Sequence, residues 1–127
     1  MNTMDFTTQE LALIGEGAHE AIQACNIARG DYSLPSWDSA NNELRASTIT
    51  GVETCLKGAT PRRQHEQWMA TRIADGWQWG PETDRANKIN SALMDYDSMP
   101  EWQRVKDEVF QGATRAGAAI ICRLRNG

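Results

Sequence analysis

His65-Glu66 is the first pair in this chain whose residue types could do chemistry. On a helix, a His-Glu pair with a second His four positions after the first would bind zinc and supply a general base. Position 69 is Met69, and the other histidine, His19, is far away in sequence, so no metal site is expected. His65 reads instead as a ring that hydrogen-bonds within its own fold or lies beside a ligand. The carboxylates of Asp95, Asp97, Asp107 and Glu108 have no base, nucleophile or oxyanion donor beside them by spacing. No Gly-x-Ser-x-Gly elbow and no phosphate-cradling glycine loop occurs. The expectation is a protein without catalytic residues and without a cofactor, in short not an enzyme.

The stronger signals concern binding. Trp77 and Trp79 flank Gln78 just before the turn signal Gly80-Pro81. Alternate residues of an extended segment share a face, so the two indoles either make one platform for a nucleobase or a peptide aromatic, or pack beneath the loop. Asp84, Arg85 and Lys88 fall within one helical turn. Asp84 and Lys88 are spaced for an exposed pair contributing only ~0.3–0.5 kcal/mol, whereas Arg85 and Lys88 beside an aromatic surface are suited to a phosphate or carboxylate. Arg62, Arg63 and Arg72 make the preceding helix the most basic one. Cations at its positive end are either solvated or offset by an anion. The candidate ligand-binding residues read from these signals are Trp77, Trp79, Arg85, Lys88 and His65.

Helices must position these groups. Thr7 with Glu10 forms a capping box, and Phe6 is placed to staple onto Leu11. Leu11, Ile14, Ala18, Ile22, Cys25 and Ala28 then repeat at helical spacing until Arg29-Gly30, with Gly15 and Gly17 suggesting close helix contact. After a loop around Pro35, Trp37, Ala40, Leu44, Thr48 and Val52 predict a second helix that Gly58 stops. Thr60 caps a third, with Pro61 at its first position and Gly76 as left-handed terminator. Residues 77–97 read as an ordered loop with a short strand or turn. Ser98 with Glu101 predicts a second capping box, opening a last helix whose apolar stripe is Trp102, Val105, Val109, Ala113, Ala116 and Ile120. Gly112, Ala113, Ala116, Gly117, Ala118 and Ala119 make a small-residue surface for close helix approach, within the core or across a symmetric dimer. The fold class is mainly α: about four helices and one aromatic-rich ordered loop. Residues 1–58 form a helical hairpin packed on residues 59–127 as one unit.

With 127 residues the chain is of single-domain size. It carries 13 Lys and Arg against 17 Asp and Glu, a net charge of −4, which argues against nucleic acid as partner. No apolar run approaches the ~20 residues of a membrane span, and Met1 to Asp5 lack a leader-peptide pattern. Cys25, Cys55 and Cys122 are odd in number and widely spaced, as reduced buried thiols are. A cytoplasmic location follows as the expectation.

His65-Glu66-x-Trp68, Gly76-Trp77-x-Trp79-Gly80, Asp84, Lys88, Leu93, Tyr96, Met99-Pro100 and Arg104-x-Lys106-Asp107 occur in that order and spacing. This series, between Pro61 and Phe110, resembles the RyR domain, the repeat module named after the ryanodine receptor. Asn90, Ser91 and Asp95 stand where the family usually carries a His-Pro pair and a further Pro. The resemblance implies binding without catalysis, and it adds Asn90 and Tyr96 to the candidate ligand-binding residues. Short stand-alone members resemble bacteriophage products, which places this one in a host cytoplasm. The partner so implied is a nucleotide-like small molecule, such as a host immune signal that the protein sequesters. The alternatives are docking on a host or phage protein and, further off, a small nucleotide hydrolase.

Overall fold

The computed structural model describes residues 6–126; residues 1–5, on which the leader-peptide reading rests, lie outside the described residues. Helix α1 (Thr8–Ala28) is followed by a 3-10 turn (Trp37–Ser39), α2 (Asn42–Leu56) and α3 (Pro61–Ala74). The loop after α3 holds β1 (Gln78–Trp79), a 3-10 turn (Arg85–Asn87), β2 (Ile89–Asn90) and another 3-10 turn (Tyr96–Ser98), and α4 (Glu101–Asn126) completes the chain. The fold is mainly α, as the periodicity predicts.

The capping chemistry explains most of the helix starts. Thr7 accepts from the Glu10 amide while Glu10 accepts from the Thr7 amide, the expected capping box. Thr60 accepts from the Arg63 amide ahead of α3, with Pro61 at its first turn. The other two starts differ from expectation. Trp37 is not part of α2: Ala40 is extended, and Asn41 Oδ1 accepts from the Leu44 amide at 2.8 Å, so the helix begins at Asn42. Ser98 does not cap α4, because Pro100 drives the residue before it into extended backbone. Met99 has ψ 144, and the Pro100 carbonyl accepts from the Gln103 and Arg104 amides.

α1 and α4 run antiparallel, with Glu10 paired to Arg125 at one end and Asn26 bonded to Lys106 near the other. Gly117 of α4 faces Ile14 of α1, where a Cβ would lie 3.6 Å from the Ile14 backbone, an ordinary contact, so the two helices pack closely here without glycine being required. Gly17, by contrast, faces open space and serves no helix contact. The apolar core is Phe6, Ile14, Val52, Ala118 and Ile121, with Leu11, Leu56, Phe110 and Cys122 against it. The inward face of α4 is thus not the expected stripe. Trp102, Val105 and Ile120 are exposed, while Gln103, Gln111, Thr114, Ala118 and Ile121 are buried. The reason lies in what that face meets: Gln111 Nε2 donates to the Ala59 carbonyl at 2.7 Å and to Gln64 Oε1 at 3.2 Å, and Gln64 Nε2 donates to the Gly51 carbonyl at 2.9 Å. This buried amide chain joins α2, α3 and α4, and a hydrophobic stripe could not make it.

Thr114 is fully buried on the same face, and its hydroxyl has no hydrogen-bond partner among the described residues. An unsatisfied buried hydroxyl is destabilising, so Thr114→Val is expected to raise stability by about 1 kcal/mol. Urea unfolding would show this as a higher midpoint at unchanged slope; a lower midpoint would mean that the hydroxyl is satisfied.

Candidate functional site

A cavity of about 800 Å³, partly open to solvent, lies between the helices and the 77–97 loop. Its walls come from every major element: His19 and Asn26 of α1, Gly51 of α2, Arg72 of α3, Trp77 and Arg85 of the loop, Lys106 of α4. The way α3 ends places two of these. Gly76 adopts φ +90, the Gly76 amide donates to the Ile73 carbonyl, and the Trp77 amide reaches back to the Arg72 carbonyl at 3.0 Å. That is a Schellman ending, which brings the residue after the glycine over the one five positions earlier. The Arg72 guanidinium accordingly sits 5.2 Å from the centre of the Trp77 ring.

α1 ends the same way. Gly30 has φ +84, its amide donates to Ile27, and the Asp31 amide donates to the Asn26 carbonyl at 2.9 Å. Asn26 Oδ1 then receives Lys106 Nζ at 2.8 Å, and Asp31 accepts from the Ser33 amide. Arg85 Nε donates to Ser33 Oγ at 3.2 Å. Lys106 and Arg85 are thus held mainly by neutral acceptors. Arg72 is nine-tenths buried, and no described oxygen accepts from it within hydrogen-bond distance.

The charges respond to this setting. Burial pushes the Arg72 and Arg85 guanidinium groups and the Lys106 ammonium down from their ordinary values. Asp31 partly offsets both Arg85 and Lys106, and Glu43 and Asp75 partly offset Arg72, while Arg85 is repelled by Arg72 and Lys106 by Arg85. Burial would raise Asp31, but hydrogen bonds from Ser33 and the charges of Arg85 and Lys106 outweigh it and hold this carboxyl low. Asp107 goes the other way: burial raises it to about 7, with Lys106 pulling down and Glu108 pushing up. The Trp77 indole N–H is buried beside the cavity with no acceptor among the described residues. Aromatic rings, buried cations without a direct ion pair and an N–H with no acceptor among the described residues on one concave wall are complementary to a planar ring carrying an anionic group.

Five of the expected site residues line this cavity: His65, Trp77, Arg85, Lys88 and Asn90. Their roles differ from one another. His65 donates from Nε2 to the Met94 carbonyl at 2.7 Å, since a carbonyl can only accept. Asn90 Oδ1 accepts from the Ala92 amide and shapes the loop. Lys88 does not pair with Asp84: its Nζ binds the Asp75 carbonyl at 2.9 Å, while Asp84 accepts from Asn87 at 2.7 Å. The Asp84–Lys88 pair fails because no helix joins them; Lys88 ends the 3-10 turn in left-handed backbone, φ 56. Trp79 and Tyr96 lie outside the cavity wall. The two indoles form no common platform, because Trp77 still belongs to the α3 ending and only Trp79 is in the strand, where it is 54% exposed. Tyr96 braces His65 from behind at 5.9 Å, under the Arg62 guanidinium at 4.9 Å. Arg62 is neutralised within the chain by a two-pronged pair with Asp97, at 2.7 and 3.0 Å.

Arg72, Lys106, Asp107 and Trp68 were not among the expected site residues, yet all line the cavity. The polar series Gln103, Asp107, Gln111 and Thr114 is spaced for one helix face and was the available signal. Among the described residues no three His, Cys, Asp or Glu side chains stand close enough to hold a metal ion. No described helix is long and apolar enough to cross a membrane.

The family model of the RyR domain matches residues 38–114, well over half of the chain. The chain belongs to the RyR domain family. The RyR match reaches further than the motif-bearing stretch from Pro61 to Phe110, taking in α2 and the first half of α4. Helix α1 precedes the matched RyR segment, so His19, Asn26 and the start of the Asp31 loop are contributed to the cavity from outside it.

Asp107 gives a test of the cavity electrostatics. Its folded-state value is raised, so the folded protein binds this proton more tightly than the unfolded chain, and stability from this group falls as pH rises from about 4 to about 7. Asp107→Asn removes that cost. The variant is expected to exceed the wild type by about 1–3 kcal/mol at pH 8, discounted for partial exposure, with the difference shrinking toward pH 4. Denaturant titrations across that range check it; a constant difference would show that Asp107 does not titrate this way.

Proposed function

We propose that this RyR-domain protein is a non-catalytic binder of a nucleotide-derived small ligand, held in the cavity with its ring against Trp77 and its phosphate on Arg72, Arg85 and Lys106. The observation that carries the reading is Arg72: a guanidinium nine-tenths buried, stacked on Trp77 at 5.2 Å beside a cavity of about 800 Å³, which makes no hydrogen bond to a described oxygen and feels the Glu43 and Asp75 carboxylates only at longer range. A buried cation without a directly bonded anion is costly, and an anionic ligand relieves that cost. The absence of catalysis is supported by the histidines, since His19 and His65 each spend Nε2 on a backbone carbonyl and neither is hydrogen-bonded to a described hydroxyl. Sequestration of a host signal, such as a cyclic nucleotide or an ADP-ribose derivative, by a phage-encoded protein in the host cytoplasm is the biological setting we propose for this binding.

Thermal shift against a panel of such nucleotides tests the reading. Ligand at 100 times its dissociation constant is expected to stabilise by ~2.7 kcal/mol. Arg72→Ala is expected to weaken binding ~10–100-fold, the loss of a charge-assisted contact. No shift with any member at millimolar concentration would sink the proposal, and disappearance of the nucleotide on long incubation would replace it with a hydrolase.

Docking on a host protein is the second reading, and Trp79, half-exposed on β1 outside the cavity, favours it. Trp79→Ala should then abolish capture of that protein from host lysate and leave nucleotide shifts unchanged; equal capture by both forms counts against docking through this ring.

A further inference from the structure

Asp107 meets His65 in an arrangement that is short of one proton. His65 Nε2 carries a hydrogen, because it donates to the Met94 carbonyl at 2.7 Å. In the neutral ring Nδ1 is therefore a lone pair, and it faces Asp107 Oδ2 at 3.7 Å. Two acceptors turned toward each other repel unless a proton lies between them. Lys106, the neighbour on the same helix, does not supply it, since its ammonium is bonded to Asn26. The carboxylate side chain is only 18% exposed, so water does little to settle the conflict.

We propose that Asp107 is a specificity-determining residue of the cavity, which takes up one proton as a phosphate-bearing ligand enters and so couples binding to pH. The inference rests on the ligand reading given above. A phosphate on Arg72, Arg85 and Lys106 brings negative charge to the wall that Asp107 shares. It repels the carboxylate directly and screens Lys106, which had favoured ionisation. The protonated carboxyl then donates, to Nδ1 or to a phosphate oxygen, where the carboxylate could only accept. The charged groups facing Asp107 are His65 from α3 and Lys106 and Glu108 from its own helix, with Asp31 and Arg85 acting across the cavity on Lys106. Because the free carboxyl is already raised to about 7, uptake of the proton falls in the neutral range. The sign follows: lowering the pH from about 8.5 to 7 supplies the proton and tightens binding, and below that range the dependence levels off. An uncharged nucleoside, which brings no charge, gains nothing from the proton.

Calorimetric titrations with adenosine monophosphate, inorganic phosphate and adenosine between pH 6.5 and 8.5 test this. The monophosphate is a dianion over the upper part of that range, its second ionisation lying at about 6, so its own titration does not mimic the effect. The expected result is affinity for the monophosphate rising about fourfold in total as pH falls from 8.5 to 7, the change a midpoint shift of about one unit allows, with adenosine flat; inorganic phosphate, which titrates itself in this range, shows only whether the anion alone binds. Asp107→Asn should remove the slope. In ¹³C carboxyl spectra of the full chain, the Asp107 midpoint should move up by about a unit when the monophosphate is added. Binding with a slope that Asp107→Asn leaves intact, or a midpoint that stays put, overturns the proton coupling while the ligand reading stands. No binding of monophosphate or phosphate at any pH, at millimolar concentration, overturns both.

Discussion

α1 and α3 each end in a glycine with left-handed backbone, and in each case the residue after the glycine is one the cavity depends on: Asp31 after Gly30, Trp77 after Gly76. A left-handed residue costs glycine little and other residues ~1–2 kcal/mol, so these positions are set by backbone chemistry before any packing is considered. The Schellman ending then ties the following amide to the carbonyl five residues earlier, which carries Trp77 to Arg72 and Asp31 to Asn26. The cavity's aromatic wall and its cation, and likewise its carboxylate and the acceptor for Lys106, are therefore built by the same local device at two helix ends.

That device also explains how a protein with net charge −4 keeps Arg72, Arg85 and Lys106 close together. Each is anchored through something that does not neutralise it: a ring for Arg72, the Ser33 hydroxyl for Arg85, the Asn26 amide oxygen for Lys106. Arg62, Arg63 and Arg125 meet carboxylates directly, in Asp97, Glu66 and Glu10, while Arg45 spends its guanidinium on the Trp37 carbonyl. Around the cavity the carboxylates of Glu43, Asp75 and Asp31 act on the cations without a direct ion pair, which leaves room for a further anion of the kind proposed.

Local chemistry was legible in the residues and long-range burial was not. Caps at Thr7 and Thr60 and the terminator at Gly76 follow from hydrogen bonds within a few positions, so their spacing sufficed. Trp77 and Arg85 could be placed beside the cavity because the 77–97 loop gathers them in sequence, and His65 because the His-Glu-x-Trp series marks it on α3. Arg72, Lys106 and Asp107 belong to helices, where every residue type can face any direction and only the partner elements decide which face is inward. On α4 the most apolar residues mark the wrong stripe, since the helix turns Gln103, Asp107, Gln111 and Thr114 inward to the cavity and the amide chain. A polar series at helical spacing is the trace that an interior cavity leaves in sequence, and it competes with the hydrophobic pattern instead of reinforcing it.

The position of α1 gives this arrangement its last consequence. The RyR-matched segment starts at Asp38 and already contains α2, α3, the loop and half of α4, including Arg72, Trp77, Arg85, Lys106 and Asp107. Without α1 the Lys106 ammonium would lose Asn26, and the wall formed by His19 and Ile22 would be missing. α1 is fastened to α4 over nearly its whole length, from Glu10 with Arg125, through Ile14 against Gly117, to Asn26 with Lys106. The leader helix thus encloses a cation-lined face that the RyR unit alone would leave open to water, where each charge would be screened and worth far less to a ligand. Enclosure raises the strength of every polar contact in the cavity together with the cost of leaving one unmade, which is why His19, His65, Asn26 and Ser33 on its wall are all committed to particular partners, while the buried Trp77 indole N–H beside them has none among the described residues.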